Sequence, residues 1–317
     1  MRGRQFACIG LLVMSAAGGT LVRAGQQGVG QVPSPLPLTS PIRERGSSVS
    51  PAYEGWYYEK DGSVRVLVGY FNRNTKQEFD IPAGPNNRVD GIEGGPDKGQ
   101  PTHFLPGRQW GLFSIALPKD FGNKKATWTI VANGLTNTVT LHTQADYIVE
   151  PFGDAANKNT PPVLKFRPDG QTFTGAPKTI AEKFTATVGT PLALPVWATD
   201  EGPKINIPEP RGRGRGAGAG RGGPATPAEF QPPPPLALTW SVYRAAAAGG
   251  VKFDSPKPAI DKADGKATVQ ATFSAPGEYM LRVEGNDSTG VGGGGFQCCW
   301  TNAHVSVTVK PAAGTGG

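Results

Sequence analysis

Beyond about residue 50, apolar and polar positions alternate with a period of two, the pattern of half-buried strands. In GWYYEKDGSVRVLVGYFN, residues 55–72, Val64, Val66, Val68 and Tyr70 fall on one face, and Asp61-Gly62 marks a hairpin turn between two β-rich runs. A second hairpin is written in ATWTIVANGLTNTVTLHT, residues 126–143. There Asn133-Gly134 separates a strand carrying Trp128 and Ile130 from one carrying Leu135, Val139 and Leu141. QEFDIP, QWGLFSIAL and DYIVEP complete about seven short strands between residues 53 and 151. That many alternating strands must bury a face, which predicts a β-sandwich over 51–152.

A polar, proline-bearing connection, 153–179, leads to a second unit over 180–310. Its alternating sets are Leu192, Leu194 and Val196; Leu236, Leu238, Trp240 and Val242; Val269, Ala271 and Phe273; Tyr279, Leu281 and Val283; and Val305, Val307 and Val309. Each set points at one core. LALTWSVYR, then ATVQATFSAPGEYMLRVEGND and the closing HVSVTVK resemble the PKD and cadherin-like branch of immunoglobulin-fold domains of exported bacterial proteins. The resemblance implies that Trp240 is the buried tryptophan of the third strand. It also implies that Tyr279, just past Pro276-Gly277, forms the tyrosine corner at the start of the sixth. It identifies a scaffold and leaves activity open. The fold class expected is all-β: two tandem β-sandwich, immunoglobulin-like domains.

Composition agrees, because 45 Gly and 31 Pro in 317 residues leave little room for long helices. The first 24 residues read as a signal peptide. Arg2 and Arg4 precede an apolar stretch from Phe6 to Ala17, and Val22-Arg23-Ala24 suits a signal peptidase. That stretch is too short for a bilayer of about 30 Å, which needs about 20 residues, and no later segment is long and apolar enough, so no transmembrane segment is expected in the mature chain. Export predicts a periplasmic or extracellular location. Loss of the leader removes Cys8 and leaves 29 basic against 25 acidic residues, a small excess that gives little reason for a polyanionic partner. Residues 25–50 read as a flexible tether, and 311–317 as a flexible tail.

The immunoglobulin pattern is broken twice. Residues 201–235, 17 of them Gly or Pro, cannot bury enough apolar area to offset ordering and are expected to be a disordered insertion. Arg211, Arg213, Arg215 and Arg221 suit RNA, but export favours a solvated loop, so no nucleic-acid partner is expected. The second break is the Gly-rich loop 286–300, which carries Cys298, Cys299 and Trp300 between the last two strands. In an oxidising compartment the reading is a vicinal disulfide that stiffens the loop and presents Trp300 for binding. Neighbouring Cα atoms about 3.8 Å apart make such a bond strained, and the glycines supply the freedom to distort. The alternatives are an intermolecular bridge, a metal pair and reduced thiols packed in a core.

Candidate chemistry is sparse. His103, His142 and His304 are widely separated, and no metalloprotease, paired C-x-x-C or nucleophile-elbow motif occurs. GVGGGG at 290–295 has no βαβ unit around it and reads as a loop. Asp90, Glu93 and Asp97 offer oxygen ligands for calcium at a spacing unlike an EF-hand, against the plainer reading of a solvated loop. Trp56, Tyr57, Tyr58 and Phe71, with Tyr70, are dense enough to suggest an exposed aromatic platform. The plainer alternative is a core with two sides. Three functions follow: an exported non-catalytic module that binds or assembles at the cell envelope, a carbohydrate-binding or enzyme-associated accessory protein, and a redox or metal protein centred on the cysteines. The first leads. It requires no cofactor, and its partner is a protein or carbohydrate of the envelope.

Overall fold

The computed structural model describes residues 43–153, 158–202, 236–246, 249–287 and 299–312. The expected leader, residues 25–42 of the tether, nearly all of the insertion, and Cys298 lie outside the described residues, whereas 43–50, also read as tether, are tied to the first sandwich, where Ser47 exchanges hydrogen bonds with Asn74 and Val49 is buried. The described residues are all-β, with one 3-10 turn and no α-helix.

The first sandwich packs one antiparallel sheet, β1 (Val49–Tyr58), β2 (Val64–Asn72) and β6 (Gly107–Ala116), against a second formed by β4 (Asn87–Asp90), β7 (Ala126–Ala132) and β8 (Leu135–Leu141). A small pair, β3 (Phe79–Asp80) and β5 (His103–Phe104), lies beside them. Val66, Val68 and Tyr70 enter one core with Phe113, Ile115, Trp128 and Ile130. Trp128 is wholly buried there, its indole N–H donating to Asn87 Oδ1 at 3.0 Å and its ring meeting Phe113 edge-on. Asn133 and Gly134 both have positive φ and join Ala132 to its partner Leu135, the two-residue turn that the right-handed strand twist favours.

Two expectations for this half are corrected. DYIVEP is no strand: Ala145–Tyr147 is a 3-10 turn, after which Ile148 bridges Trp56 and the Val149 N–H donates to Trp56 O at 2.9 Å. Gly55 allows this closure, since at φ +120° it adopts a backbone few other residues tolerate, and a Cβ there would strike Val149 and the Tyr147 carbonyl. The alternation in β1 is also not continuous. Its register passes from Tyr53 opposite Val68 to Gly55 opposite Leu67, a β-bulge at Glu54. Val49 faces the core before the bulge and Trp56 after it, so the parity of the strand changes.

The second sandwich pairs β10 (Ile180–Thr187), β16 (Trp300–Lys310), β15 (Gly277–Asp287) and β12 (Leu236–Arg244), in that order. The facing sheet runs β13 (Val251–Phe253), β14 (Lys266–Phe273), β11 (Leu192–Thr199), β9 (Val163–Lys165). β10 lies parallel to β16, and all other pairs are antiparallel. β9 arises in the stretch read as a connection, because Leu164 is apolar enough to be fully buried and its backbone pairs with Phe173. Trp240 is 2% exposed and meets Phe166 edge-on. The Tyr279 hydroxyl donates to the Ala275 carbonyl at 2.8 Å, four residues upstream, and Gly249 leaves room for its ring.

The outer face of β15 and β16 packs against the first sandwich. Arg282, Glu284, Asn302 and His304 alternate there as solvent-facing polar residues would, yet all are buried. Arg282 pairs with Glu284 and donates to Asn302 Oδ1 and, across the junction, to Gln109 Oε1, both at 2.6 Å. Burial pulls its pKa down to about 10, so it remains cationic at neutral pH. Asn302 donates to the Gly111 carbonyl at 3.0 Å, and the buried Glu54 accepts from the Gly111 N–H at 2.7 Å and from Arg108 at 2.6 Å. Burial raises the Glu54 pKa against the lowering effect of Arg108. His304 stacks on Tyr243, ring centres 4.0 Å apart, and burial, with Arg282 and Arg244, depresses its pKa to about 3. Trp300 packs with Tyr57, Leu67 and Ala176 in a core of its own, its ring lying where a Cβ on Gly111 would be.

Three outcomes follow for stability in denaturant melts. Tyr279→Phe strands the Ala275 carbonyl and lowers stability by about 1 to 3 kcal/mol; a change near zero removes the corner from the framework. Gly111→Ala forces a side chain onto the Trp300 ring at φ +48° and costs about 1 to 3 kcal/mol. In Trp300→Ala, which vacates that space, adding Gly111→Ala costs less, and strict additivity of the two changes would break the proposed contact. Neutral His304 in the fold, against an unfolded value of 6.5, makes the unfolded chain the better proton acceptor between pH about 3 and 6.5. Stability is therefore lost as pH falls below 6.5, and His304→Gln loses less of it between pH 7 and pH 4.5 than wild type; equal losses refute the assignment.

Candidate functional site

The four residues expected to form an aromatic platform are divided by the structure. Trp56 belongs to the first core and is 6% exposed, while Tyr57 points the other way and meets Phe152 edge-on. Phe71 sits opposite Ser50, at the far end of the strand pair, under the Arg73 guanidinium. Tyr58 alone is open, at 58% exposure. An exposed platform of all four is thus not formed: strand parity sends Trp56 and Tyr57 into cores on opposite sides of β1, and register places Phe71 at the far end of the pair.

Other residues take their place beside Tyr58. The turn after β8 brings Tyr147 and Ile148, both about half exposed, against β1. Of the four large apolar side chains exposed among the described residues, Tyr58, Tyr147 and Ile148 gather here, and Leu135 lies at the Asn133-Gly134 turn. Behind them, Tyr53, His142 and Tyr147 form a ring cluster with centroids 4.6 to 5.8 Å apart. The Tyr53 hydroxyl donates to the His142 carbonyl at 2.6 Å, and burial raises its pKa, with Tyr147 adding to the shift. Burial and, secondarily, Lys125 lower the His142 pKa. The Trp56 indole N–H donates to Gln144 O at 2.7 Å, and its ring holds Tyr58 edge-on at 5.1 Å and 74°. Tyr58 therefore stands on a fixed base.

A cleft of about 540 Å³ opens beside it, between the β1–β2 turn and the β6–β7 connection. Trp56, Tyr58, Leu117 and Phe121 supply its apolar wall, and Asp61, Ser63, Lys119, Asn123 and Thr143 its polar rim. The Ser63 hydroxyl and N–H both donate to Asp61 Oδ1, at 2.7 and 2.9 Å, and hold that carboxyl below its usual pKa range. What the arrangement offers is stacking and directed hydrogen bonding. Tyr147 and Ile148 were hidden from sequence reading because DYIVEP scans as a strand; their only sequence signal is adjacent large side chains beside a glycine-permitted bulge in β1.

The loop candidates fare differently. Cys298 lies outside the described residues, and Cys299 is buried and disulfide-bonded. Trp300 is not presented to solvent: it is the first residue of β16 and is 1% exposed at the junction. Its side chain follows the strand pleat onto the docked face, which the sequence showed only as polar. Four strand residues separate Cys299 from His304, and His103 is held between Glu78 and Asp80. The three calcium candidates do not converge. Asp90 pairs with Arg88 at 2.8 Å, Asp97 takes a two-pronged ion pair from Arg244 that lowers its pKa, and the Glu93 carbonyl accepts from Lys98. Among the described residues no group of three His, Cys, Asp or Glu side chains is placed to hold a metal ion.

No protein-family model matches the chain, and no curated protein matches it. Among solved structures it is similar to the S-layer protein SbsC, at 10% identity and TM-score 0.22, over 84% of this chain and 28% of that one. It is similar also to domains 4 and 5 of SbsC, at 12% identity and TM-score 0.20, over 83% of this chain and 98% of that one. A tandem pair of titin Ig domains matches at 10% identity and TM-score 0.20, over 84% and 100% of the two chains. The chain spans about 28% of the length of the first of these structures. At such scores the likenesses carry no site and no activity to this protein.

Proposed function

We propose that this protein is an exported, non-catalytic binding module of the cell envelope, in which two docked immunoglobulin-like sandwiches hold an aromatic patch in place. The observation that carries the reading is that three of the four large apolar side chains exposed among the described residues, Tyr58, Tyr147 and Ile148, lie on β1 and on the turn that bridges it at Trp56. Export is supported by the charged and then apolar leader, and no helix of the described residues is long and apolar enough to cross a membrane. The second sandwich is assigned to the PKD and cadherin-like branch on its β12 tryptophan and its Tyr279–Ala275 hydrogen bond. Pairing of Cys299 with the adjacent Cys298 would stiffen the entry to β16.

The test is co-sedimentation of the purified mature protein with isolated envelopes of the source cell. Both tyrosines are about half exposed, so Tyr58→Ser with Tyr147→Ser lowers the melting temperature by only a few degrees and weakens retention about tenfold or more. Retention that is absent in wild type, or unchanged in the double variant, overturns the reading.

A further inference from the structure

We propose that the cleft beside Tyr58 is a binding site for a short, uncharged saccharide. The inference rests on the binding-module reading and names its ligand class. A sugar offers an apolar C–H face and a fringe of hydroxyls that donate and accept. The cleft offers the complement: the Tyr58 ring, edge-on to Trp56, lines it together with the polar groups of Asp61, Ser63, Asn123 and Thr143. Two of those groups are already oriented. Asp61 is fixed by Ser63, and Thr143 is fixed by donating to the Gly122 carbonyl at 2.8 Å. Pre-set groups lose little freedom on binding, which matters most for a ligand that must give up many water contacts.

Charge and backbone exclude the main competitors. The rim carries one carboxylate, Asp61, and one ammonium, Lys119, so there is no surplus of positive charge to hold a phosphate or a polyanion. A peptide adding as a strand needs a free sheet edge. Here the outer side of β1 is already taken at Trp56, where Ile148 bridges it and the Val149 N–H donates to the Trp56 carbonyl. A volume of about 540 Å³ also suits more than a single small ion.

The experiment titrates the whole mature protein with cellotetraose, maltotetraose and chitotetraose, read by calorimetry and by tryptophan fluorescence, with inorganic phosphate as the charged control. The expected result is saturable binding of at least one tetrasaccharide, in about the millimolar to micromolar range, and none of phosphate. Tyr58→Ala then weakens binding about tenfold or more, Tyr58→Trp restores it, Asn123→Ala weakens it a few-fold, and Leu135→Ser leaves it unchanged. Saturation by none of the three sugars, or equal binding by wild type and Tyr58→Ala, overturns the proposal. If the sugars fail while Tyr58→Ser with Tyr147→Ser still abolishes envelope retention, the saccharide site falls and the binding module stands. If retention is unaffected as well, both fall.

Discussion

A buried arginine sets the terms for the rest of this molecule. Removing a guanidinium from water costs several kcal/mol, and the cost is met only where oppositely charged and hydrogen-bonding groups surround it. Arg282 finds Glu284 and Asn302 on its own sheet, but Gln109 comes from the first sandwich. Its satisfaction therefore depends on both halves being docked. Glu54 mirrors the demand from the other side: a buried carboxylate needs donors, and it takes them from Arg108 and from the Gly111 backbone that Asn302 also holds.

The docked arrangement explains where the aromatic residues go. Trp300 would be a surface side chain on an isolated sandwich; here it closes against Tyr57, Leu67 and the glycine gap at 111. The bulge at Glu54 serves both regions at once. It turns a carboxylate into the junction and changes the parity of β1, which sends Trp56 into the first core and leaves Tyr58 beyond it in the open. Junction and aromatic patch are two consequences of one extra residue in one strand.

Hydrogen bonding and packing then determine what sort of site is left. The candidate calcium carboxylates Asp90 and Asp97 are taken up by arginines, and the two nitrogens of His103 face carboxylates. The uncommitted chemistry lies at the end of the β1–β2 hairpin, where an exposed phenol ring stands beside a rim of hydroxyl, amide and carboxylate groups. Such a surface offers stacking and directed hydrogen bonding.

Sequence alone determined most of the strands and the class of fold, because period-two alternation and turn chemistry are local. Asn133-Gly134 is a two-residue hairpin turn wherever it occurs between β-rich runs, and Tyr279 four residues after Ala275 places its hydroxyl by strand geometry. Tertiary structure decided which polar faces are surfaces. Arg282, Glu284, Asn302 and His304 read as the solvated side of a sheet, since alternation reports only that two faces differ and cannot tell water from a docked partner rich in complementary polar groups. It placed the aromatic residues for the same reason: Tyr58 was visible as an aromatic residue, but Tyr147 and Ile148 come to β1, at Tyr53 and Trp56, only because a bulge and a glycine with positive φ let a distant turn close onto it. That closure lies in long-range backbone geometry, which no local pattern of residues encodes.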